Sequence, residues 1–513
     1  MVVLAAPAGL VAALELSPAE AAGKHIYLEG LGAANGEISA RVGAADTLVP
    51  AALMPCANCH GADGRGRPEG GVRPPDITWR RLSLPYGQRQ AGGRNHGPYD
   101  EGALARAVGE GRDPAGNRLD PAMPRFVMSL RDMANLTAYL KRLEDDRDPG
   151  VQEAELRLGT LLPGSGSLAE LGRTVEAVLQ GAIARINAAG GIHGRRLLLV
   201  VRDPGLDRAS TAAALDALLR QDQVFALLAP LVPAPDSDLS ELIRKAGVPL
   251  VGPLALLGEG ASNPLVFTTL PGLREQLFAL AGYASNDLGL KQPEALVAYP
   301  EDAHQHSLAE ALALRLMDQG WARVRLLGYE ADDSDSTVGH AAKGAQGVFF
   351  LGHSDAFARL AEQLQAADLS PYLFASSSQV ASSALRIPPR FSGRLFLAYP
   401  FMPADWTPDG EAALLEIRRS QGLGGQHAAL QVGAYCATIL LGEGLKRVGR
   451  DASREKLVSA LESLHGFHTG LTPALDFGPG QRVGSAGAHI VTVDLRGQSF
   501  RPLGRFIKVD TRL

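Results

Sequence analysis

Two cysteines separated by two residues and followed directly by a histidine form the most informative motif of the sequence, Cys56-Ala57-Asn58-Cys59-His60. Cys-x-x-Cys-His is the attachment signature of c-type haem, in which both thiols form thioether bonds to one porphyrin. The histidine after the second cysteine then lies beside the porphyrin and ligates its iron. The motif predicts one covalent haem c, attached through Cys56 and Cys59, with His60 as the proximal ligand.

Two other kinds of site use paired cysteines. A thioredoxin-like redox pair opens a helix after a βαβ strand, and no such strand precedes Cys56. A zinc site needs further Cys or His ligands, and no second cysteine pair follows. The third cysteine, Cys436, lies alone in an apolar stretch and is interpreted as a buried structural thiol.

A haem iron with one histidine ligand takes a second axial ligand, commonly a methionine thioether. Met123 lies on a proline-flanked loop, Asp120-Pro121-Ala122-Met123-Pro124. Met128 and Met133 precede or begin a helical pattern, where methionine is more often a core residue. Met54 lies two residues before Cys56 and cannot reach the opposite face of the haem. We predict Met123 as the distal ligand, with Met128 as the alternative.

Composition limits the functions of the whole chain. The 513 residues correspond to about three globular units. The net charge of −5 argues against a nucleic-acid-binding protein, which would carry a basic stripe. A hydrophobic content of 46% with 20% charged residues excludes wholesale disorder. No uninterrupted apolar run approaches the roughly 20 residues of a membrane-spanning helix.

The N-terminal segment, residues 1–22, resembles a secretory signal. Residues 2–14 form an apolar run, and Ala19-Glu20-Ala21 follows it. This pattern predicts cleavage after Ala21 and export to the periplasm, although no Lys or Arg precedes the apolar run. The alternative is an apolar N-terminal helix that frays.

In the rest of the chain, the composition and the predicted secondary structure change at a charged segment. Residues 23–143 are rich in Gly, Arg and Pro, with a helix at each end, and residues 144–154 read as a linker. Residues 155–513 alternate strands with helices, which predicts parallel sheets in two α/β lobes connected near Pro271 and Pro400. The predicted strands are 156–162, 196–203, 224–229, 248–251, 295–299, 324–329, 347–351, 372–375, 395–398 and about 488–494, and the predicted helices are 168–187, 209–221, 237–246, 307–318, 355–366, 428–448 and 454–464.

Residues 23–143 resemble the class I cytochromes c. The resemblance depends on Gly23-Lys24-His25-Ile26-Tyr27, the Cys56–His60 motif with Asp63-Gly64 after it, Met123-Pro124, and Leu136-Thr137-Ala138-Tyr139-Leu140 in the last helix. It implies an all-α domain around one covalent haem and one-electron transfer. The segment between Tyr27 and Cys56 is longer than in the simplest members. Haem attachment in bacteria takes place outside the cytoplasm, which supports the signal interpretation.

Residues from about 155 to 510 resemble the type I periplasmic solute-binding proteins of branched-chain amino acid ABC transporters. The matching pieces are 186–192 with Gly194 and Arg195, Asp203, 246–251 with Pro253, and 470–477. The resemblance implies a two-lobed α/β periplasmic binding protein fold that closes on a small ligand by hinge motion.

Amino-acid binders of that family hold the zwitterion with hydroxyls on two N-lobe loops and an acidic residue from the other lobe. The corresponding loops here, 230–235 and 252–257, contain no Ser or Thr. The acidic position carries Ser376-Ser377-Ser378-Gln379, which is neutral. A buried zwitterion would lack charge partners at a cost of several kcal/mol. The cleft therefore predicts a neutral or weakly polar ligand, either aromatic or alcohol-bearing.

Polar side chains after the C-lobe strands are the opposing candidates, because ligands bind at the carboxyl ends of strands in open α/β sheets. Tyr299 ends one predicted strand, His304 and His306 follow it, and His353 follows the next. The pair His304 and His306 is expected on a solvated loop or, alternatively, as a metal site. The predicted ligand-binding residues are Pro253, Leu254, Ala255, Tyr299, His306, His353, Ser378 and Gln379.

The sequence thus predicts a periplasmic c-type cytochrome fused to a binding domain, without a catalytic constellation of its own. The expected partners are a small organic ligand and a redox protein, either a periplasmic dehydrogenase or another cytochrome, in a periplasmic oxidation pathway. The alternative is a substrate-binding or sensing component of an ABC transporter, with an ABC permease as partner and the haem as a redox accessory. No nucleic-acid partner is expected.

Overall fold

The chain divides into two compact units, Met1–Arg147 and Asp148–Leu513. The computed structural model describes residues 16–32, 37–43, 46–66, 72–89, 94–232, 237–254, 263–330 and 340–510. The division falls inside residues 144–154, the segment interpreted as a linker.

Charged residues on both sides of the division are bound to their own unit. The Asp146 carboxylate accepts a hydrogen bond from the Tyr139 hydroxyl at 2.9 Å and pairs with Lys24 at 2.7 Å. The Asp148 carboxylate accepts from the backbone N–H of Arg454 at 2.5 Å. The part of the predicted linker that contacts neither unit is therefore short, because most of its charged side chains have partners.

The first unit is built on helices. They are α1 (Pro18–Glu29), α2 (Cys56–His60), α3 (Trp79–Leu82), α4 (Glu101–Glu110) and α5 (Leu130–Arg142). Helices α1 and α5 cross in contact at Gly23, where an added Cβ would lie 2.0 Å from the Asn135 carbonyl oxygen. Only glycine allows this approach, so the crossing explains the first residue of the Gly23–Tyr27 motif.

The predicted signal segment, residues 1–22, overlaps helix α1 in sequence. Residues 1–15 lie outside the described residues, whereas Ala21 lies within α1. Ser17 caps the helix, and its side chain and that of Glu20 bond each other's backbone N–H groups. Cleavage after Ala21 would remove this capping box, and the cleavage position stays a prediction.

A three-stranded antiparallel sheet accompanies the helices, which the expectation of an all-α domain did not include. It has the order β2-β1-β5, and a two-stranded ribbon, β3-β4, lies apart from it. The strands are β1 (Ser39–Val42), β2 (Thr47–Pro50), β3 (Gln88–Arg89), β4 (Asn95–His96) and β5 (Arg125–Val127). Strands β1 and β2 come from the long segment between Tyr27 and Cys56. Strand β5 begins directly after Met123-Pro124 and pairs with β1. The segment between Tyr27 and Cys56 therefore supports the loop that carries Met123.

The second unit begins with a five-stranded parallel sheet, the N-lobe, in the order β10-β9-β8-β6-β7. Its strands are β6 (Glu155–Leu161), β7 (Arg196–Arg202), β8 (Ala226–Leu228), β9 (Leu250–Val251) and β10 (Val266–Phe267). Its helices between the strands are α6 (Ala169–Ala188), α7 (Arg208–Arg220) and α8 (Ser237–Ala246).

The other lobe, the C-lobe, contains a seven-stranded mixed sheet in the order β12-β11-β13-β14-β15-β16-β17. Its strands are β11 (Glu294–Pro300), β12 (Arg323–Tyr329), β13 (Gly347–Phe350), β14 (Tyr372–Ser376), β15 (Leu395–Tyr399), β16 (Gly487–Asp494) and β17 (Ser499–Lys508). Its helices are α9 (Leu273–Asn286), α10 (Ala303–Asp318), α11 (Ser354–Ala366) and α12 (Ser377–Val380). The last two strands run antiparallel to their neighbours.

Three chain segments connect the lobes, one more than the two predicted near Pro271 and Pro400. After β15 the chain returns to the N-lobe core with α13 (Pro408–Gln421), α14 (Ala428–Val448) and α15 (Arg454–Glu462). It then re-enters the C-lobe through residues 484–487. The first and third connections lie side by side, since the Ser485 hydroxyl donates to the Thr269 carbonyl at 3.0 Å.

Among the described residues, α14 is long and apolar enough to cross a membrane. The helix spans 21 residues, and 72% of its apolar window is buried inside the protein. Val432, Cys436 and Leu440 belong to the N-lobe core. We therefore describe α14 as a core helix.

Candidate functional site

The Cys-x-x-Cys-His motif forms its own short helix, α2, directly after Pro55. Cys56 packs against the core of the first unit, while Cys59 is exposed. The Tyr27 hydroxyl on α1 donates to the Gly61 carbonyl at 2.7 Å. This buried hydrogen bond fixes the backbone immediately after His60 to the first helix.

The His60 imidazole is buried and has one hydrogen-bond partner among the described residues. Its Nδ1 lies 3.0 Å from the Pro75 carbonyl oxygen. A carbonyl only accepts hydrogen bonds, so Nδ1 carries the hydrogen and Nε2 keeps its lone pair. Burial lowers the pKa of His60, partly opposed by the Pro75 carbonyl, which favours the imidazolium. A histidine that ligates a metal needs a neutral ring and an Nε2 lone pair held in a fixed direction, and the position of His60 provides both.

The loop after α2 brings Pro75 to this position. Gly66 N–H donates to the His60 carbonyl at 2.7 Å, and Ile77 N–H donates to the Gly64 carbonyl at 2.7 Å. Gly66 has φ +89°, and a Cβ there would lie 2.1 Å from the Pro74 carbonyl oxygen. Only glycine lets the two halves of the loop close this tightly.

Met123 lies on a turn between α4 and β5 and is partly exposed. Its N–H donates to the Asp120 carbonyl at 3.1 Å. Met128 and Met133 instead pack against the core of the first unit. Met128 and Met133 thus contact the core cluster whereas Met123 is not among its contacts, and the assignment of Met123 as distal ligand stays a prediction.

These residues fit a c-type haem. Two thiols and a histidine lie on one helix, and the described residues place no hydrogen-bond partner on Nε2 of that histidine. Among the described residues, no group of three or more His, Cys, Asp or Glu side chains could hold a metal ion. The zinc alternative therefore finds no further protein ligands in the part of the chain that the structure describes.

Cys436 lies fully buried in α14. Burial raises the pKa of its thiol to about 12, against a smaller opposing effect of hydrogen bonds from Thr469 and Thr472. A thiol of this kind is inert at neutral pH, in agreement with its interpretation as structural.

On the N-lobe, the two loops predicted to face the cleft lie together. Leu254 N–H donates to the Pro230 carbonyl at 2.9 Å, which joins the ends of β8 and β9. Pro253 and Leu254 are partly exposed. Ala255 lies outside the described residues, as do residues 233–236 and 256–262.

On the C-lobe, His304 and His306 lie in the first turns of α10 and not on a loop, which corrects the sequence-based expectation. Asp302 caps this helix by accepting from the Gln305 N–H, so the helix begins earlier than the predicted residue 307. His306 Nε2 lies 3.2 Å from the Glu310 carboxylate, and Nδ1 lies 2.7 Å from the Tyr299 hydroxyl. In the neutral ring Nδ1 therefore accepts from Tyr299, so His306 orients a tyrosine at the strand end.

The segment after β14 is only partly available to a ligand. Ser376 is fully buried, and its hydroxyl donates to Gln276 Oε1 at 2.6 Å. Ser378 is exposed and lies 2.6 Å from the Ser376 hydroxyl. Gln379 Oε1 is buried and has no hydrogen-bond partner among the described residues. Ser376 is thus hydrogen-bonded inside the C-lobe and Ser378 is exposed, and the roles of Ser378 and Gln379 in ligand binding stay predictions.

His353 is exposed at the N-terminus of α11, where its side chain makes no capping hydrogen bond. Next to it, Ser354 donates to the Gln379 carbonyl at 3.0 Å. The ends of β13 and β14 thus meet at one edge, as expected for neighbouring parallel strands.

Three further residues at the cleft edges were missed by sequence reasoning. The loop after β6 exposes Ser165 and Ser167, and the Ser165 hydroxyl donates to Asp203 at 3.2 Å. The loop after β6 therefore carries the hydroxyl groups that the two other N-lobe loops lack. On the C-lobe, Glu301 is exposed directly after β11. Their positions two to five residues after predicted strands would have been the signal.

A surface pocket of about 270 Å³ lies elsewhere on the C-lobe, where α9 approaches β17. Asn286, Asp287 and Arg505 are among its lining residues. None of the eight predicted ligand residues lines it, so it does not belong to the predicted cleft.

Comparison with known proteins agrees with this division. A family model described as periplasmic binding protein matches residues 155–498, and one described as cytochrome c matches residues 50–144. The chemotactic signal transduction system substrate-binding protein BasB of Halobacterium salinarum is 24% identical over 244 residues, covering 46% of this chain and 58% of that protein. The chain thus spans less than two thirds of that relative's length.

Two solved structures show the same fold. A fatty acid ABC transporter substrate-binding protein from Thermomonospora curvata has a TM-score of 0.55 at 18% identity, covering 71% of this chain and 95% of that chain. A branched chain amino acid ABC transporter protein from Thermus thermophilus with bound valine has a TM-score of 0.55 at 16% identity, covering 70% and 97%.

Proteins of both families are typically exported. The periplasmic binding protein match extends over about two thirds of the chain and coincides with the two-lobed unit. The cytochrome c match coincides with the unit that carries the Cys-x-x-Cys-His helix. The chain belongs to the periplasmic binding protein family and carries a cytochrome c domain before its two-lobed binding domain.

Proposed function

We propose that this chain is a periplasmic electron-transfer protein whose binding domain recognises a small, neutral or weakly polar organic molecule in a periplasmic oxidation pathway. The observation that carries the proposal is the buried His60 on the Cys56–His60 helix, with Nδ1 bonded to the Pro75 carbonyl, in a chain that also contains a solute-binding fold. The redox partner would be a periplasmic dehydrogenase or another cytochrome.

In the first unit, Cys56 and Cys59 would hold one haem c, and His60 and Met123 would ligate its iron. Bound haem c supplies reversible one-electron chemistry. The Pro75 carbonyl keeps the His60 ring oriented, and the Tyr27 hydroxyl keeps the backbone of Gly61 in place. A thioether ligand favours the reduced state, so Met123 would suit the domain to accept electrons.

In the second unit, the cleft would favour a ligand without full charges. The N-lobe loop around Pro253 and Leu254 is apolar, and the C-lobe offers Tyr299, Ser378 and Gln379. Gln379 Oε1 is buried without a hydrogen-bond partner in the described part of the chain, so a ligand alcohol or amide that reached it would remove the cost of an unsatisfied polar atom.

The first test concerns haem attachment. Cys56→Ala combined with Cys59→Ala should abolish covalent haem, as measured by haem staining after denaturing electrophoresis of exported protein. Cys436→Ala is the matched control and should leave the staining unchanged, because that thiol is buried in the other unit. Retained staining in the double variant would show that the motif does not attach haem.

The second test concerns the ligand. A thermal-shift screen of the full chain against small alcohols, aromatics, carboxylates and amino acids should find stabilisation by a neutral compound, because a bound ligand raises apparent stability. His353→Ala and Gln379→Ala should weaken that shift. Gln365→Ala is the control, since it lies on the same helix as Ser354 but about 16 Å further along it. Equal ligand-induced thermal shifts in the wild type and in all three variants would refute the assignment of the ligand to the edge of the C-lobe sheet that carries His353 and Gln379.

A second candidate function is a substrate-binding or sensing component of an ABC transporter, with haem as a redox accessory. The family match over residues 155–498 and the named functions of its relatives favour it. Rapid reduction of the full chain by a purified periplasmic dehydrogenase supports electron transfer. Ligand-dependent docking to an ABC permease, without such reduction, supports the alternative.

A further inference from the structure

Arg125 is the first residue of β5 and lies two positions after Met123. Its Nη2 donates to the carbonyls of Leu119 and Asp120 at 3.2 and 3.3 Å, and its Nη1 donates to the Met123 carbonyl. One guanidinium thus spans the backbone at both ends of the loop 119–124. The planar fork of arginine suits this task, since its donors point in fixed and different directions.

The other side of the guanidinium lies against the end of α4. Gly111 ends this helix with φ +68°, and a Cβ on it would lie 1.8 Å from Arg125 Nε. Leu119 N–H donates to the Gly111 carbonyl at 2.8 Å. The absence of a side chain at Gly111 therefore leaves the room that the Arg125 side chain takes.

The sheet fixes Arg125 itself. Strand β5 pairs with β1, with Arg125 opposite Arg41 and Phe126 opposite Ala40. Phe126 and Ala40 are buried in the core of the first unit. The segment between Tyr27 and Cys56 thereby attaches β5 to the core, and β5 presents the guanidinium to the loop.

From these contacts we infer that Arg125 is a positioning residue for Met123, which holds the loop 119–124 in the arrangement that keeps the thioether at the iron. The inference rests on the proposed role of Met123 as distal ligand. A thioether is a neutral, weak ligand, so its occupancy of the iron depends on how strongly the loop favours that arrangement. Loss of the fork raises the population in which another ligand can take the position.

The test uses the full chain with haem attached and compares Arg125→Lys with Arg118→Lys. Lysine keeps the charge but cannot span carbonyls in fixed directions. Arg118 is the matched control because it is exposed in the same region and its side chain makes no hydrogen bond or ion pair with the described residues. Arg125→Lys should increase the affinity of the ferric protein for added imidazole about tenfold, the effect expected for one lost charged hydrogen bond.

The same variant should weaken the thioether-to-iron charge-transfer absorption band, while Arg118→Lys should change neither measurement. Gly111→Ala provides a second route, because its methyl group displaces the guanidinium without changing any charge. Equal imidazole affinity in the wild type, Arg125→Lys and Gly111→Ala would overturn the inference.

A double-mutant cycle separates this inference from the ligand assignment. In a Met123→Ala background, Arg125→Lys should leave imidazole affinity unchanged, because no thioether remains to be displaced. An effect of Arg125→Lys that persists in that background would refute a role through Met123. Retention of the thioether band in Met123→Ala alone would instead refute the ligand assignment, whatever Arg125 does.

Discussion

At the scale of single residues, Met123 and Met128 differ in what holds each side chain. Met128 packs against the core of the first unit, whereas Met123 lies on a loop outside that core. Met123→Ala should remove the thioether-to-iron absorption band and lower the reduction potential, since thioether ligation raises it. Both are measured on the purified ferric protein by absorption spectroscopy and by redox titration.

Met128→Ala is the control for this prediction. It should keep the band and the potential and lose some stability, because it removes a partly buried side chain from the core. If Met128→Ala loses the band and Met123→Ala keeps it, the assignment of the distal loop is wrong.

The residues of the haem site differ in how far the sequence reveals them. Cys56, Cys59 and His60 are adjacent, and their spacing alone predicts their chemistry. Pro75 acts through its carbonyl oxygen, a group that every residue possesses, so no side-chain pattern marks it. Arg125 acts through a loop that bends back on it, and this contact depends on the pairing of β5 with β1.

At the scale of elements, helices α1 and α5 of the first unit cross at a distance that leaves no room for a side chain at Gly23. Gly23→Ala would place a Cβ 2.0 Å from the Asn135 carbonyl and 2.7 Å from Tyr139 Cβ, so the helices must separate. We expect a loss of unfolding free energy of about 2 kcal/mol or more, since overpacking typically costs about 1–3 kcal/mol. Denaturant unfolding of the haem-containing protein measures it.

Gly102→Ala is the matched control for this substitution. Gly102 lies in helix α4, and a Cβ there would be no closer than 3.5 Å to any neighbour. The change should therefore be neutral or stabilise the unit by up to about 1 kcal/mol, the difference in helix propensity between the two residues. Equal effects of the two substitutions would mean that the crossing tolerates a side chain.

Helix α9 and strand β17 were missed by sequence reasoning for different physical reasons. Helix α9 is buried almost all round, including Glu275 and Gln276, so it lacks the one-sided apolar pattern of a surface helix. Strand β17 is exposed along most of its length and contains Pro502 and Gly504, which argue against a strand. Strand β16 was predicted at about residues 488–494, but its pairing with β15 in the C-lobe was not, so the third connection between the lobes was missed. Regular alternation predicted most of the parallel strands, of which central ones such as β8 and β13 are buried on both faces.

At the scale of the whole molecule, the three connections between the lobes are held to one another. The His489 imidazole on β16 lies 2.9 Å from the Asp405 carboxylate in the second connection. The first and third connections pair through Thr268 and Val483. Hinge motion of the binding domain would therefore involve the three segments together, which suits closure of the lobes as rigid bodies.

The identity of the ligand is the property in which this molecule should depart from amino-acid binders. Leucine, isoleucine and valine carry two opposite charges, and the loops at 230–232 and 252–254 offer neither hydroxyl nor charge. A buried, unpaired charge costs several kcal/mol, and about 1.4 kcal/mol already changes affinity tenfold. Isothermal titration calorimetry of the full chain should therefore give no signal for these amino acids at millimolar concentration.

A neutral compound that shifts the thermal transition is the positive control for the same protein sample. The opposite outcome, micromolar binding of a branched-chain amino acid, would overturn the prediction, and Glu301 would then be the residue to examine. Glu301 is an exposed carboxylate at the end of β11, able to pair with an α-ammonium group. Loss of that binding in Glu301→Gln would show that Glu301 supplies the charge partner, and the hydroxyls of Ser165 and Ser167 would be the natural partners of the α-carboxylate.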